Sequence, residues 1–377
     1  MNLKYLSRIF YIAILALIIV GSALVLSASS AYSALRFHDN LYRLFSAHII
    51  RVVIAIFSLV LFSVIPYELY RVYSKKIIIG VAGLLVLTLF IAPNVKGAGR
   101  WINLGLFSFQ PSEIAKFFLI VHLAYLIEAK GDELQDYKNG FKYPLVWIII
   151  IAGLIFVQPN VSTSLVVSTI AFTLLFIGGA KISHIVSTVG LAGIAAFCFM
   201  MMFHHSRQRI LTFFHSFGSG SEINLQVAQA KIALGSGGFL GLGLGQSRQS
   251  NLFLPEAYGD FIFSIMGEEL GFLGVVVILL IYLVIFFAGI IIAKNAKDKF
   301  GQLLAFGISF TIIISAFINA AVVTGIFPTT GIPLPFISYG GTSIIFMCGA
   351  AGVIVNIAVK SHKYKLKTSQ ASESVSK

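Results

Sequence analysis

Charge is the first thing this sequence lacks. Of its 377 residues only 11% are Asp, Glu, Lys or Arg, against about 25% in an average soluble domain. A water-soluble globule of this length needs a larger polar surface, so that class is excluded. Disorder is excluded as well, because 58% of the residues are hydrophobic and disordered chains are poor in them. Cysteine is nearly absent. Cys198 and Cys348 both lie inside apolar runs and read as small buried hydrophobes. No CxxC pair, Cys/His cluster or HExxH motif occurs, which argues against a disulfide framework and a structural zinc site. His204, His205 and His215 also lack ligand spacing. Acidic residues are the scarcer sign, 14 against 27 basic ones, for a net charge of +13. The basic residues are scattered between apolar runs rather than gathered on one face, so a nucleic-acid partner is not expected.

What fills the sequence is apolar runs long enough to cross a bilayer, which takes about 20 residues as a helix. Ten spans are expected, at 9–28, 48–65, 77–93, 111–128, 143–159, 162–179, 184–203, 267–293, 302–326 and 337–359. A transmembrane barrel would show short alternating strands instead. The expected class is therefore all-α, a polytopic membrane protein with about ten transmembrane helices and a large extracytoplasmic loop between helices 7 and 8. With the N-terminus inside, the larger share of Lys and Arg falls on inner segments, so both termini are expected in the cytoplasm. Lys4, Arg8, an apolar run and then Ser27-Ala-Ser-Ser-Ala resemble a secretory signal. The run is too long for one and further spans follow, so the first helix is expected to stay. One transmembrane domain is expected over 1–360, with the loop at about 204–266. A basic, Ser-rich cytoplasmic tail follows at 361–377 and is expected to lie against the membrane. No 20- to 50-residue period and no inverted repeat is visible.

Three segments on the outer side carry most of the chemistry. Val95 to Ser112 holds Lys96, Arg100 and Trp101. The long loop holds Arg207, Arg209, Arg248 and Asp260, with a glycine-dense run from Gly235 to Gly245. Phe327 to Gly341 holds three prolines, which argue against a regular helix. Asp260 precedes an apolar helix and has two readings, a helix N-cap or a general base beside apolar surface. Glu268 and Glu269 follow; they either complement the dipole of a first helical turn or bind a cation. Glu113 and Lys116, three residues apart on the fourth span, share a face. They form either a self-satisfying pair or part of a cavity. The outer arginines bind phosphate or snorkel to headgroups. The glycine run lacks the spacing of a nucleotide motif, and tight turns or close packing explain it better.

Taken together, these segments resemble a known family. The resemblance rests on Gly97-Ala-Gly-Arg-Trp-Ile-Asn-Leu-Gly, Phe107-Ser-Phe-Gln-Pro-Ser-Glu-Ile-Ala-Lys, Ala233-Leu-Gly-Ser-Gly-Gly-Phe-Leu-Gly-Leu-Gly-Leu-Gly, Leu254-Pro-Glu, Asp260-Phe-Ile-Phe, Gly267-Glu-Glu-Leu-Gly-Phe-Leu-Gly and Gly331-Ile-Pro-Leu-Pro-Phe-Ile-Ser-Tyr-Gly-Gly. In order and spacing these are similar to the SEDS proteins (shape, elongation, division and sporulation). The likeness spans the first to the last helix. Pro328-Thr-Thr-Gly, Ile265-Met-Gly-Glu-Glu-Leu-Gly and Leu26-Ser-Ala-Ser-Ser look more like the division branch of that family than its elongation branch.

The resemblance implies the ten-helix SEDS fold and a peptidoglycan glycosyltransferase that polymerises lipid II at the outer face of the bacterial cytoplasmic membrane, here at the division septum. It implies a class B penicillin-binding protein as partner, within the division or elongation machinery. It matches the family's essential aspartate to Asp260, and a cavity-lining pair to Glu113 and Lys116. Arg100, Trp101, Gln110, Ser112, Ser338 and Tyr339 stand inside the shared motifs and join the expected substrate-binding set. Arg207, Arg209, Arg248, Glu268 and Glu269 join it as well. No tightly bound cofactor is expected, only a divalent cation, Mg or Mn, beside the diphosphate. A lipid II flippase and a non-catalytic division scaffold are the rival readings. Two departures stand out. Gln158-Pro-Asn-Val-Ser has Asn160 where the family often has Asp, which puts any cation role there in doubt. Tyr258-Gly259 replaces His-Thr before the aspartate, which bears on how Asp260 is oriented.

Overall fold

The computed structural model describes residues 3–37, 40–92, 99–103, 108–202, 207, 211, 225–250, 253–255 and 257–375. The chain is a helical bundle with the order α1 (Leu3–Arg36), α2 (Arg43–Val64), α3 (Glu68–Ile91), α4 (Pro111–Lys130), α5 (Lys142–Val157), α6 (Val161–Gly178), α7 (Ile182–Met202), α8 (Leu225–Ser236), α9 (Ile262–Lys294), α10 (Lys299–Val323) and α11 (Ser343–Val375). A two-residue antiparallel pair, β1 (Ile102–Asn103) and β2 (Ser108–Phe109), precedes α4. Among the described residues, nine helices are long and apolar enough to cross a membrane. The tenth expected span, α4, carries Glu113, Lys116, Glu128 and Lys130, yet packs inside the bundle between α3, α6 and α10.

Local chemistry sets several helix ends. Pro111 opens α4 at a position whose N–H would be unpaired anyway. Asp298 caps α10 by accepting from Gly301 N at 2.7 Å. Gly179, at φ +103°, closes α6 in the left-handed region.

The core forms around α1, whose Phe10, Ile14, Leu17 and Leu24 are fully buried against α9, α2 and α11. α2 and α11 approach backbone to backbone, because a Cβ at Gly352 would collide with Leu59 O and one at Gly349 would lie 2.7 Å from Ser58 Oγ. Small residues at such crossings are how membrane helices gain contact area without a hydrophobic driving force. At the end carrying both termini, polar groups tie the loops. Tyr67 donates to Asp298 at 2.9 Å, Asn356 donates to Ser63 O and accepts from Tyr67 N, and Glu68 pairs with Lys297 and Lys360.

α11 continues past residue 360 to Val375, so the basic tail starts as an extension of the last helix. Two expectations are corrected. Cys348 is buried, but Cys198 is exposed, because α7 packs lightly on α6 and α5 and no residue of its apolar window is buried. The third span starts at Glu68 rather than 77, nine residues earlier, because Glu68 and Arg71 find ionic partners that an apolar-run criterion ignores.

Candidate functional site

α9 is interrupted at Gly271, where φ is +67° and ψ −172°. The break releases backbone groups that a straight helix would pair internally, and the glycine run takes them up. Leu242 N and Gly243 N donate to Glu268 O and Glu269 O at 3.0 Å each, while Phe272 N and Leu273 N donate to Gly238 O and Phe239 O at 2.9 and 3.2 Å. Only glycine fits this seam. A Cβ at Gly237, Gly241 or Gly271 would collide with the facing main chain, and Gly241 and Gly271 have positive φ. Close packing is therefore the role of the run.

Glu268 and Glu269 sit beneath the seam. They are not in the first turn of α9, which holds no acidic residue, so the helix-dipole reading is corrected. Glu268 is fully buried. It accepts from Ser247 Oγ, from Arg248 N at 3.0 Å, from Gln249 N at 3.3 Å and from Ser236 Oγ at 3.3 Å. Glu269 accepts from Ser27 Oγ of α1. Neither pairs with a Lys or Arg side chain among the described residues.

Asp260 lies at the mouth above this seam, partly buried. α9 starts at Ile262, with Phe261 in the cap position and no side-chain cap bond, so the N-cap reading of Asp260 is corrected as well. Its placement comes from α10 and the proline-rich loop. Asn319 Nδ2 donates to Asp260 O and to Ile332 O, each at 2.8 Å. Gly331, at φ +71°, passes so close that a Cβ there would lie 3.3 Å from Asp260 Oδ2. Tyr339 N donates to Tyr258 O at 2.9 Å. The loop itself is pinned from two sides and braced within. Gly21 of α1 packs on Ile337, Tyr282 donates to Pro335 O, and inside the loop Ser338 Oγ accepts from Leu334 N at 2.7 Å. The absence of regular helix over 327–341 is as expected.

On the other side of the same loop stands the α4 pair. Lys116 Nζ lies 3.1 Å from Glu113 Oε2, and Ser343 Oγ donates to the same oxygen at 3.0 Å. The pair is self-satisfied and also lines a small cleft, walled by Ile308, Thr311, Phe346 and Met347. Gln110 N donates to Thr342 Oγ1, so α4 and the loop are joined. Ser112 is buried with no partner for its hydroxyl.

The remaining expected residues scatter. Arg100 donates to the carbonyls of Gln158 and Pro159, which makes it a clasp on the α5–α6 turn. Asn160 in that turn is buried, with Nδ2 unpartnered. Trp101 is 36% exposed. The side chains of Arg207 and Arg248 are exposed, while Arg209 and Lys96 lie outside the described residues. Among the described residues no group of three or more His, Cys, Asp and Glu gathers to hold a metal ion, and the oxygens of Glu268 are already used. Oε2 of Glu269 is buried without a partner, but no second carboxylate or imidazole among the described residues joins it in a group of three. Sequence reasoning missed Asn319 and Ser27. A polar residue inside a span was the available signal for Asn319.

Comparisons with known proteins agree with this architecture. The family described as "Cell cycle protein" (FtsW/RodA/SpoVE) matches residues 7–363. A protein of Geobacter sp. (strain M18) named "Probable peptidoglycan glycosyltransferase FtsW" is 38% identical over 344 residues, 90% of this chain and 93% of its own. Stage V sporulation protein E of Bacillus subtilis (strain 168) is 36% identical, over 91% and 94%. Among solved structures, one described as "Structural coordination of polymerization and crosslinking by a peptidoglycan synthase complex" superposes with TM-score 0.75 at 21% identity, covering 93% of this chain and 97% of that one. Thermus thermophilus RodA superposes at 0.70 with 22% identity, covering 93% and 96%. At those identities the structures establish the fold.

Proposed function

The chain belongs to the FtsW/RodA/SpoVE family of cell cycle proteins, and from that premise we propose how its outer mouth works. The protein is a multi-pass membrane peptidoglycan glycosyltransferase of the kind its relatives are named for. It joins lipid II units into β-1,4 glycan at the outer membrane face, in septal wall synthesis. Both termini lie in the cytoplasm, and a class B penicillin-binding protein supplies crosslinking. Several relatives at 36–38% identity carry the division-type name, which supports the septal role over elongation.

The observation that carries the reaction is the seating of Asp260. Asn319 fixes its main chain and Gly331 leaves room beside its carboxylate. Asp260 takes the proton from the 4-hydroxyl of the acceptor GlcNAc. That oxygen forms a bond to the anomeric carbon of the donor MurNAc, and the bond from that carbon to the diphosphate oxygen breaks with its electron pair. The donor linkage is α and the product β, so the carbon inverts. One base and one activated leaving group suffice, without the second carboxylate of a glycosidase. Lys116, held at the cleft by Glu113, offsets negative charge on the departing diphosphate. A divalent cation, Mg or Mn, would be carried by the diphosphate itself, and no step is assigned to it.

The test is polymerisation of lipid II by the purified protein with its transpeptidase partner, resolved as glycan chains on a gel. Wild type is expected to make chains and Asp260→Ala none, with partner binding unchanged. Chains from Asp260→Ala at the wild-type rate would refute the role of Asp260. No chains from either, with the partner bound, would favour a flippase or a scaffold.

A further inference from the structure

Arg51 lies two turns inside α2, which begins at Arg43, or roughly 12 Å along the helix at 1.5 Å per residue. A guanidinium at that depth is costly and as a rule faces a partner or a wet cavity. Here the partner is missing. Nη1 is buried without a hydrogen-bond acceptor, and no carboxylate among the described residues pairs with Arg51. What holds it is a ring: the guanidinium stands over Tyr339, 4.7 Å from the centroid. The imidazole of His48 lies 5.7 Å from the same ring, and its Nδ1 is also buried and unpartnered. Two unspent polar atoms around one tyrosine mark a place where a polar group binds.

The surroundings say which group. From Tyr339 a column of rings climbs toward the mouth. Tyr258 stands edge-on at 5.3 Å, then Tyr32 at 5.6 Å from Tyr258, whose hydroxyl accepts from Arg36 Nη1 at 2.7 Å. Asp260 follows Tyr258 by two residues. The order of contacts is a cation two turns inside a helix long and apolar enough to cross a membrane, then two further tyrosine rings, then a carboxylate two residues from one of them. A polyprenyl-linked saccharide has the same order, with its diphosphate at the lipid boundary and its sugar rings outward. A planar guanidinium with free donors matches phosphate oxygens in pairs.

We propose that Arg51, braced on Tyr339, is an anion anchor for the diphosphate of a polyprenyl-linked saccharide. The inference rests on the glycosyltransferase reading for its ligand class but not on any catalytic step. It is tested by binding. Full-length protein in phosphatidylcholine nanodiscs is titrated with undecaprenyl diphosphate, with undecaprenyl monophosphate and phosphatidylglycerol as comparison probes. Wild type is expected to prefer the diphosphate. Arg51→Met is expected to weaken its binding tenfold or more, and Arg51→Lys, which keeps the charge but not the fork, to restore part of it. Elution as a single species on gel filtration shows that each variant is folded. If Arg51→Met does not fold, Arg51→Lys alone decides: diphosphate binding equal to wild type overturns the anchor. Binding by folded Arg51→Met within twofold of wild type overturns it too. Equal competition by phosphatidylglycerol overturns it in favour of an ordinary headgroup site. Failure of the catalytic reading shows separately, as glycan synthesis by Asp260 variants, and leaves the binding result standing.

Discussion

Two pairs of charged positions lie inside the spans, and the bundle treats them differently. Glu113 on α4 is matched by a cation, Lys116, beside an open cleft. Glu268 on α9 is matched by neutral donors, the hydroxyls of Ser236 and Ser247 and the main-chain N–H groups of Arg248 and Gln249, and Glu269 beside it by the Ser27 hydroxyl, with Oε2 buried and unpartnered. A carboxylate surrounded by fixed neutral donors is committed to holding its loop, because each donor would be left unsatisfied without it. A carboxylate held by an ammonium on a flexible stem, next to empty space, has charge that an incoming diphosphate can re-partner. Charge inside a membrane is thus no sufficient sign of chemistry; the kind of partner separates scaffold from site.

The comparison can be broken at either pair. The largest effect is expected from Glu268→Ala. Removing the hub strands several buried donors, and the loss is expected to be about 1 to 3 kcal/mol for each donor left unsatisfied. Thermal unfolding in detergent reads it, and an unchanged transition would show that the seam of glycines holds the loop without Glu268. Next comes the double variant Glu113→Gln with Lys116→Met. Removing both charges together is expected to change stability by no more than about 1 kcal/mol, since a buried pair traded for neutral groups of similar size is often near neutral. Glycan synthesis, by contrast, should fall at least tenfold. Full activity in that variant would demote the pair to scaffold. Ser27→Ala is the smallest, about 1 kcal/mol for one hydrogen bond, and tests whether α1 is fastened to α9 through Glu269.

Legibility in the sequence divides along the same line. Nine of the ten expected spans and the broken segment at 327–341 were readable because apolar run length and proline act locally. The Gly235–Gly245 run was readable as close packing, but not its partner, since Gly241 meets Glu269 and Gly271 nearly 30 residues on. Asp260 stood between cap and base on residue physics alone, and only the family resemblance tipped it. The geometry then removed the cap by starting α9 at Ile262. The roles of Asn319 and Ser27 were hidden for one reason: each meets its partners across long sequence separations, and no periodicity reports that. The exposure of α7 and the helical run of α11 beyond 360 depend on what a helix packs against, which apolar content does not reveal.

One side-by-side measurement tests the central contrast most directly. Initial rates of lipid II polymerisation would be compared for Glu268→Gln and the Glu113→Gln, Lys116→Met double variant, at equal folded concentration with the transpeptidase partner bound. Glu268→Gln, once folded, is expected to polymerise within a few-fold of wild type although its unfolding temperature drops, while the double variant keeps its unfolding temperature and loses tenfold or more in rate. The reverse pattern, a stable but inactive Glu268→Gln beside a fully active double variant, would contradict that contrast.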